Sequence, residues 1–302
     1  MRQAAIRIGT RGSSLAMTQA QLAAEALARE GRATRLVKVE TEGDRRAPDT
    51  AWGEGAFVKA IELALLDGRV DVAVHSAKDV PTDEDPRLTI GAYLPRADAR
   101  DALVIRDGTA RSLAELPLGA TVGTDSPRRT AFLLARRPDL RVRPLHGNVD
   151  TRLRRLDDGD ADALVLACAG LDRLGRADRI GERINAEQMP PAPGQGALAL
   201  QIRRDDARML VLTASLDDRR TRVAVEAERE LLRAAGGGCR APLGVYGAVV
   251  GTQLTLIAGH AATDGTGLRI GQRSGPIDEA TAVAVALYRD LWAGVPTLGT
   301  AR

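Results

Sequence analysis

The sequence predicts a protein of the α/β class, with two similar lobes followed by a small α+β domain that contains an antiparallel sheet. Up to about residue 200, short apolar segments alternate with amphipathic ones, as in sheets covered by helices. The two halves of this region are alike, because Ile8-Gly9-Thr10 leads to Ser13 much as Val122-Gly123-Thr124 leads to Ser126. After Thr221, a helical segment is followed by closely spaced strand-like segments, which indicates a separate domain.

The first lobe begins with a strand at residues 6–8, which runs into the loop Gly9-Thr10-Arg11-Gly12-Ser13. Ser13 or Ser14 can cap the helix that follows, and this helix should reach about Arg29. The other elements predicted for this lobe are strands at residues 36–39 and 71–74 and a helix at residues 57–66.

The second lobe repeats this plan. Pro127 suits the first turn of a helix that should end near Arg136. The predicted strands of this lobe lie at residues 101–105, at 121–122, around Val142 and at 163–167. The proline-rich segment 190–194 predicts a hinge crossing, after which residues 196–202 return to the first lobe as a strand.

The C-terminal region should fold separately. Its predicted elements are a helix at residues 221–234, strands at 245–250, 253–258 and 268–272, and a helix at 278–292. The predicted domains are therefore residues 1–96 with 196–216, residues 97–195, and residues 217–302.

Composition excludes several classes of protein. Of the 302 residues 44% are hydrophobic, but no apolar run approaches the roughly 18 residues of a membrane span. Residues 1–7 lack the apolar stretch of an export signal, and two cysteines do not make a disulfide framework. We therefore expect a cytoplasmic protein with no membrane partner. A net charge of +3 gives little support for a nucleic-acid partner.

Basic side chains gather at or just after the carboxyl ends of predicted strands, where open α/β sheets bind ligands. Guanidinium groups and helix N-termini both suit carboxylates or phosphates. The pattern predicts a cleft for a ligand with several negative charges, unless these side chains only cap loops and pair with surface acids. The residues concerned are Arg11, Lys78, Arg128, Arg129, Arg152 and Arg173.

Asp79 is an acid within this basic set. Nearby cations should lower the pKa of its carboxyl group and keep it ionised. The carboxylate then either holds a donor N–H and stabilises a cation on the ligand, or only pairs with Lys78 or an arginine. The residues alone leave both interpretations open.

The two cysteines differ in their surroundings. Cys239 follows three glycines and precedes Arg240, which favours the thiolate form of an unshielded thiol. It is either a reactive group offered to a bound ligand or a free cysteine on a surface turn. Cys168 ends an apolar run and is interpreted as a small buried side chain.

Other chemistry has little support in the sequence. His75 and His146 are too few and too far from acid-rich clusters to suggest a metal site, and His260 is interpreted as structural. The motifs of phosphate loops, dinucleotide sites and Ser-His-Asp hydrolases do not occur, so neither a metal nor a nucleotide cofactor is expected.

Taken together, eight segments in order along the chain resemble the porphobilinogen deaminase family. The resemblance covers nearly the whole chain. The segments are Thr10-Arg11-Gly12-Ser13, Gly55-Ala56-Phe57-Val58-Lys59, residues 74–81, residues 123–129, residues 147–153, residues 169–175, Pro193-Gly194-Gln195-Gly196-Ala197 and Gly237-Gly238-Cys239.

The resemblance implies two lobes like those of periplasmic binding proteins and a third domain that carries Cys239. It implies a monomeric transferase, hydroxymethylbilane synthase, with a dipyrromethane cofactor bound to Cys239 through a thioether. Such an enzyme deaminates four porphobilinogen molecules in turn, couples them head to tail onto the cofactor, and releases hydroxymethylbilane by hydrolysis. This chemistry belongs to tetrapyrrole synthesis, as in the formation of haem and other porphyrins.

The resemblance also assigns site residues. Asp79 matches the catalytic aspartate, which binds pyrrole N–H groups and stabilises the cation formed when ammonia leaves. With Cys239 and Asp79, the cofactor-binding positions are Lys78, Ser126, Arg128, Arg129, Arg152 and Gly170. The substrate-binding positions are Arg11, Ser13, Lys59, His146, Asn148 and Arg173.

The chain departs from the family pattern at two positions. His146 stands where an arginine is common, and Asp125 stands where a serine is common. A weaker cation and an added negative charge predict looser binding of porphobilinogen. The alternatives are a relative that holds the cofactor but turns over slowly, and a two-lobed protein that binds an anionic small molecule without chemistry.

Overall fold

The computed structural model describes residues 4–40, 58–106, 110–237 and 241–293. It divides into two compact units. Unit 1 comprises Met1–Ala97 and Ala197–Arg222, and unit 2 comprises Asp98–Gly196 and Val223–Arg302.

The described strands and helices are as follows. The strands are β1 (Ile6–Thr10), β2 (Thr34–Lys38), β3 (Val72–Ser76), β4 (Leu88–Tyr93), β5 (Asp101–Ile105), β6 (Thr121–Gly123), β7 (Arg141–Arg143), β8 (Ala163–Ala167), β9 (Glu182–Ile184), β10 (Leu198–Arg203), β11 (Leu243–Val250), β12 (Gln253–His260) and β13 (Arg269–Pro276). The helices are α1 (Ser14–Arg29), α2 (Lys59–Leu66), α3 (Pro127–Arg136), α4 (Val149–Asp157), α5 (Cys168–Arg173), α6 (Ala207–Ala214), α7 (Arg219–Ala234) and α8 (Ala280–Trp292).

Unit 1 is built on a five-stranded sheet with the order β2-β1-β3-β10-β4. Strands β1, β2 and β3 are parallel, whereas β10 is antiparallel to both of its neighbours. The predicted return strand is thereby confirmed, because β10 comes from beyond the proline-rich segment and completes the first sheet. The sheet is mixed rather than all parallel, since this one strand enters it from the opposite direction.

Unit 2 contains a second five-stranded sheet with the order β7-β6-β8-β5-β9. Strands β6, β7 and β8 are parallel, and β5 runs antiparallel between β8 and β9. Position by position, this sheet has the strand directions of the sheet in unit 1. The likeness of the two halves in sequence thus corresponds to a likeness in topology, and the α/β class is confirmed.

The core of unit 1 forms because α1 presents one apolar face to the sheet. Ala20, Ala23 and Leu27 recur at helical spacing and are fully buried against Ile8 and Leu200. Each buried leucine or isoleucine contributes roughly 1.5–3 kcal/mol relative to an exposed one. Small alanines let the helix approach the sheet closely, which suits a chain with only 2% aromatic residues.

The C-terminal part of unit 2 is an antiparallel sheet, β11-β12-β13, covered by α7 and α8. Its contact with the proline-rich segment uses main-chain groups. Val245 N donates to Pro191 O over 2.8 Å, and the buried Glu228 carboxylate accepts from Gly194 N and Gly247 N, both over 2.6 Å. These bonds fix the start of β11 against the segment that leads to β10.

Most predicted elements are present within a few residues, and the differences have local causes. The elements that the pattern missed are β4, β9, α4, α5 and α6, which are short or lie in segments that we interpreted as loops. The start of the helix predicted at residues 57–66 includes Phe57, which lies outside the described residues. The division into three domains stays a prediction.

The close approach of Gly244 to Pro190 predicts a sharp loss of stability in Gly244→Ala. A Cβ atom at position 244 would lie 2.0 Å from Pro190 O, a backbone atom that cannot move aside alone. Overpacking of this kind costs about 1–3 kcal/mol or more. Urea unfolding should show the loss. Gly12→Ala, whose added atom meets no neighbour within 4 Å, is the control and should unfold like the parent.

Candidate active site

A pocket in unit 1 lies at the carboxyl ends of β1 and β3, which are parallel neighbours. Arg11 and Ser13 follow β1, whereas Asp79 follows β3. Among the residues that line the pocket are Arg11, Ser13, Gln19, His75, Ser76 and Asp79. The structure thus brings together three of the predicted site residues of this unit.

Two local structures position these side chains. Ser13 caps α1, because its Oγ accepts from Ala16 N over 3.3 Å. Asp79 ends a short 3-10 turn, Ala77–Asp79, that begins directly after β3. Ala77 N donates to Ala197 O over 3.0 Å, so the segment entering β10 fixes the start of this turn.

The Asp79 carboxyl group is half-buried, and burial raises its pKa above the ordinary value. The charges of Lys78 and Arg11 lower that pKa, but they do not outweigh burial. The expectation that these cations lower the net pKa of Asp79 was therefore wrong, because it left out the loss of hydration. The described residues donate no hydrogen bond to this carboxylate, so its oxygens are available to a ligand.

Gln19 and His75 line the same pocket but were not predicted as site residues. Gln19 Nε2 donates to Ser76 Oγ over 3.0 Å. His75 Nε2 lies 3.1 Å from Gln201 Oε1, and burial lowers the pKa of His75 to about 4, so the ring is neutral at pH 7. Gln19 lies on the alanine-rich face of α1 that the fold buries, and the sequence did not show which residues this face meets.

In unit 2 the predicted residues Arg128 and Arg129 share one buried carboxylate, that of Asp101 at the start of β5. Arg128 Nη1 lies 2.7 Å from Asp101 Oδ2, and Arg129 Nη2 lies 2.8 Å from Asp101 Oδ1. Asp101 is 0% exposed and Arg128 is 4% exposed. Burial raises the pKa of Asp101, but the two arginines outweigh it and hold that pKa far below its ordinary range.

These arginines also bind the backbone. Arg129 Nη1 donates to Val165 O in β8 over 2.9 Å, and Arg128 Nη1 donates to Pro190 O over 2.8 Å. Gln195 Nε2 adds a further hydrogen bond to Asp101 Oδ1 over 3.0 Å. Asp101 was not predicted from the sequence, although an acid at the start of an apolar strand is a recognisable signal.

A second cluster in unit 2 follows β7. Asn148 caps α4 by accepting from Thr151 N over 2.9 Å. Arg152 Nη2 lies 2.9 Å from Asp125 Oδ1, and His146 Nδ1 lies 3.2 Å from Asp125 Oδ2. The two positions that depart from the family pattern, 125 and 146, are thus in direct contact.

The remaining predicted residues are placed as follows. Arg173 ends α5, donates to Gly196 O over 2.7 Å, and has its pKa lowered to about 10 by burial. Ser126 caps α3, and Gly170 is buried within α5. Lys59 begins α2 and is exposed. Cys239 and the segment Gly55-Ala56-Phe57 lie outside the described residues.

The charges of unit 2 fit an acidic cofactor. Arg128 and Arg129 share Asp101, Arg152 pairs with Asp125, and Arg173 lies near the charge of Asp172, which also pairs with Arg183. Positive charge is therefore in excess. Arg128 Nε and Arg152 Nε are also buried without a hydrogen-bond partner among the described residues. Buried donors of this kind are costly unless a ligand meets them. A ligand with several carboxylates, as dipyrromethane has, therefore suits this set of donors.

Other sites find no support in the described parts of the chain. No group of three or more His, Cys, Asp and Glu residues is placed to hold a metal ion there. Within the same residues, no helix has the length and apolar character needed to cross a membrane. Cys168 is fully buried, which raises the pKa of its thiol to about 12, and His260 stacks on Trp292 at 4.3 Å between ring centroids.

The fold and the two sites define an α/β protein with strand-end sites for an anionic ligand. Comparison with known proteins gives the family. The family model for the dipyrromethane cofactor binding domain of porphobilinogen deaminase matches residues 6–211, and that for its C-terminal domain matches residues 223–292. This chain belongs to the porphobilinogen deaminase family.

Curated relatives agree with the family models. Porphobilinogen deaminase from Mycobacterium marinum is 48% identical over 95% of this chain and 94% of its own length. The protein of the same name from Mycobacterium tuberculosis is 52% identical over 81% of this chain and 79% of its own length.

Two solved structures illustrate what the coordinates resemble. The second substrate binding domain of a putative amino acid ABC transporter from Streptococcus pneumoniae is 14% identical, with a TM-score of 0.44, over 77% of this chain and 95% of its own. The periplasmic VFT2 domain of Bordetella pertussis BvgS is 17% identical, with a TM-score of 0.43, over 70% of this chain and 86% of its own.

The environment of Asp101 predicts that Asp101→Asn is strongly destabilised. Removal of one partner from a buried ion pair costs about 3–5 kcal/mol, because it leaves the guanidinium groups without a counter-charge. Since the folded pKa of Asp101 is lowered, its contribution is full above the ordinary Asp pKa of about 3.9 and is lost as pH falls through the folded value.

Urea unfolding at pH 7 and at lower pH measures this effect. Asp290→Asn removes a carboxylate from an exposed pair with Arg273 and is the matched control, expected to unfold like the parent. Equal stability of the Asp101→Asn and Asp290→Asn proteins at pH 7 would contradict the prediction.

Proposed function

We propose that this chain is a transferase of tetrapyrrole synthesis that uses Asp79 to join four porphobilinogen molecules head to tail and to release hydroxymethylbilane by hydrolysis. Membership of the porphobilinogen deaminase family supports this reaction. The observation that carries the role of Asp79 is its carboxylate, which is half-buried between Arg11 and Lys78 and accepts no hydrogen bond from the described residues.

The reaction requires this pocket to bind a pyrrole N–H group and to stabilise a positive charge on the pyrrole. The C–N bond of the aminomethyl group breaks, ammonia leaves with the electron pair, and positive charge develops on the pyrrole that remains. A new C–C bond then forms, and the proton of the attacked ring carbon leaves. An ionised Asp79 binds the pyrrole N–H and stabilises the developing cation, because low hydration strengthens the electrostatic attraction.

Basic and polar side chains of each unit are proposed to bind the acidic side chains of porphobilinogen. Each porphobilinogen carries an acetate and a propionate, and guanidinium groups bind carboxylates through paired hydrogen bonds. Arg11 and Ser13 serve this purpose in unit 1, with Lys59. Arg173, His146 and Asn148 serve it in unit 2.

The cofactor, dipyrromethane joined to Cys239 through a thioether, supplies the pyrrole to which the first substrate is attached. Its own acidic side chains would be held mainly by donors of unit 2. The residues proposed for this are Ser126, Arg128, Arg129, Arg152 and Gly170 of unit 2, with Lys78 of unit 1. Arg128 and Arg129 are held in place for this task by Asp101.

The proposal includes three domains with the predicted boundaries, residues 1–96 with 196–216, 97–195 and 217–302. The gap between the two family models, from residue 211 to residue 223, supports the last boundary.

We also propose that the protein is a cytoplasmic monomer whose substrate is porphobilinogen and that it has no membrane or nucleic-acid partner. The small net charge of +3 is in line with the lack of a nucleic-acid partner. A binding protein without chemistry is less favoured, because it gives no role to the Asp79 carboxylate, which accepts no hydrogen bond from the described residues.

Intact mass tests the cofactor. The purified parent protein should be heavier than its sequence by one dipyrromethane, and Cys239→Ser should lack this adduct and remain folded, with a lower unfolding temperature because the buried donors lose their ligand. Cys168→Ser is the matched control and should keep the adduct, since the Cys168 thiol is buried. A parent protein without an adduct that consumes no porphobilinogen would refute the proposed function.

Asp79→Asn tests the chemistry. The substitution keeps the size and one acceptor oxygen of the side chain but removes the charge that stabilises the cation, so we expect turnover to fall by roughly 10²–10³-fold. The folded structure should persist, because the carboxylate makes no hydrogen bond with the described residues. Single-turnover assays on protein shown by mass to carry the cofactor measure the effect. A fully active Asp79→Asn protein would remove Asp79 from the mechanism.

The raised pKa of Asp79 predicts the acidic side of the pH profile. The ionised form is the active one, so kcat/KM should fall as pH decreases through a value above the ordinary Asp pKa of about 3.9. Lys78→Gln removes a charge that lowers this pKa, and the fall should therefore move to higher pH.

The profile is measured on protein whose cofactor content is known by mass. Arg69→Gln, which removes an exposed arginine paired with Asp67 in the same unit, should leave the acidic side unchanged. A shift of the Lys78→Gln profile to lower pH would contradict the assignment.

A further inference from the structure

Asp125 lies where two loops of unit 2 run side by side. It occupies the loop between β6 and α3, and His146 and Arg152 follow β7. Strands β6 and β7 are parallel neighbours, and Thr124 N continues their pairing by donating to Arg143 O over 3.0 Å. The two loops therefore leave the sheet at the same edge and bring these three side chains together.

One carboxylate holds both neighbours. Arg152 Nη2 lies 2.9 Å from Oδ1 and 3.1 Å from Oδ2 of Asp125, and His146 Nδ1 lies 3.2 Å from Oδ2. The side chains of Asp125, His146 and Arg152 are 21%, 16% and 17% exposed. These contacts are therefore largely shielded from water, where ion pairs are stronger than at an open surface.

Arg152 needs a counter-charge at this position. Burial lowers the pKa of its guanidinium, and the nearby charge of Arg129 lowers it further, so both oppose the charged form. Burial also raises the pKa of Asp125, but Arg152 and His146 outweigh it and the net shift is downward. Asp125 is therefore ionised at neutral pH and offsets the repulsion between Arg152 and Arg129.

The contact leaves part of Arg152 available. Asp125 engages only Nη2, whereas Nε is buried and has no hydrogen-bond partner among the described residues. A guanidinium group has five N–H donors in a rigid planar arrangement, so one carboxylate can orient it while another binds a different edge.

We propose that Asp125 is a positioning residue for substrate binding: its carboxylate holds the Arg152 guanidinium beside the His146 imidazole, so that the other N–H groups of Arg152 remain available to a carboxylate of porphobilinogen as well as to the cofactor. This inference rests on the proposed function. It gives Asp125 the opposite effect from the one expected from its charge alone, which was repulsion of the substrate. Asp125 and His146, the two residues that depart from the family pattern, then act together, and neither departure simply weakens substrate binding.

Steady-state kinetics of Asp125→Asn, Arg152→Gln and the double variant test the proposal. Removal of the charge at 125 should raise KM about tenfold and leave kcat within about twofold, as expected for an interaction made equally in the ground state and the transition state. In the Arg152→Gln background the same change should alter KM less than about twofold, because the group that Asp125 holds is gone.

Several variants serve as controls. Asp157→Asn removes a carboxylate from an exposed pair with Arg179 in the same unit and should leave KM unchanged. Asp125→Glu keeps the charge and should recover at least part of the loss. Asp125→Ser is a second uncharged variant. It takes the place of Asp125→Asn in the kinetic test if that protein does not fold, and the same rise in KM is expected. Thermal unfolding of each variant shows whether a change in KM has a structural origin.

A measurement that does not depend on turnover examines the contact itself. The chain has three histidines, so ¹⁵N labelling of histidine gives a simple spectrum. The Nδ1–H signal of His146 should be visible in the parent protein and lost in Asp125→Ala, whereas the signals of His75 and His260 should not change. A signal of His146 that is the same in both proteins would overturn the proposed contact.

The outcomes separate the two proposals. A parent protein that carries no cofactor and consumes no porphobilinogen refutes the proposed function. A normally active parent in which Asp125→Asn leaves KM unchanged or lowers it refutes only the role of Asp125. Independent, additive effects of Asp125→Asn and Arg152→Gln on KM refute it as well.

Discussion

The buried carboxylate of Asp101 organises unit 2 more than any other single group. It neutralises Arg128 and Arg129 at the start of α3 and accepts a hydrogen bond from Gln195, so the helix, the strand β5 and the proline-rich segment are joined at one point. The proline-rich segment in turn accepts from Arg128 at Pro190 O, accepts from β11 at Pro191 O, and donates from Gly194 N to Glu228 of α7. An apolar residue at position 101 would leave two buried guanidinium groups without a counter-charge, which costs about 3–5 kcal/mol of stability.

Three aspartates of this chain show how environment decides the role of one side chain. Asp101 is surrounded by guanidinium groups, and the net result is a strongly lowered pKa and a structural role. Asp125 is shared between an arginine and a histidine and also has a lowered pKa. Asp79 has cations nearby but no hydrogen-bond donor among the described residues, so burial prevails and its pKa is raised. A carboxylate that the protein leaves without hydrogen bonds is suited to act on a ligand.

Much of the candidate site could be predicted because it lies where strands end. Arg11, Asp79, Arg128 and Arg173 follow apolar segments that are easily recognised, and parallel strands place such positions at one edge. Gln19 and His75 could not be ranked in this way, since their importance depends on which residues face them across the fold. The direction in which the pKa of Asp79 shifts could not be predicted either, because a sequence shows the neighbouring charges but not the loss of hydration of the carboxylate.

The sequence by itself determined the α/β class, the likeness of the two sheets, the return of β10 and the family, because these follow from periodic patterns and ordered motifs along the chain. Only the tertiary structure decided which acid meets which arginine. Asp101 reaches Arg128 and Arg129, and Asp125 reaches Arg152 and His146, across separations of 21 to 28 residues that no local pattern encodes. Electrostatic partners depend on distance and hydration in space, and these exist only once the strands have been placed side by side.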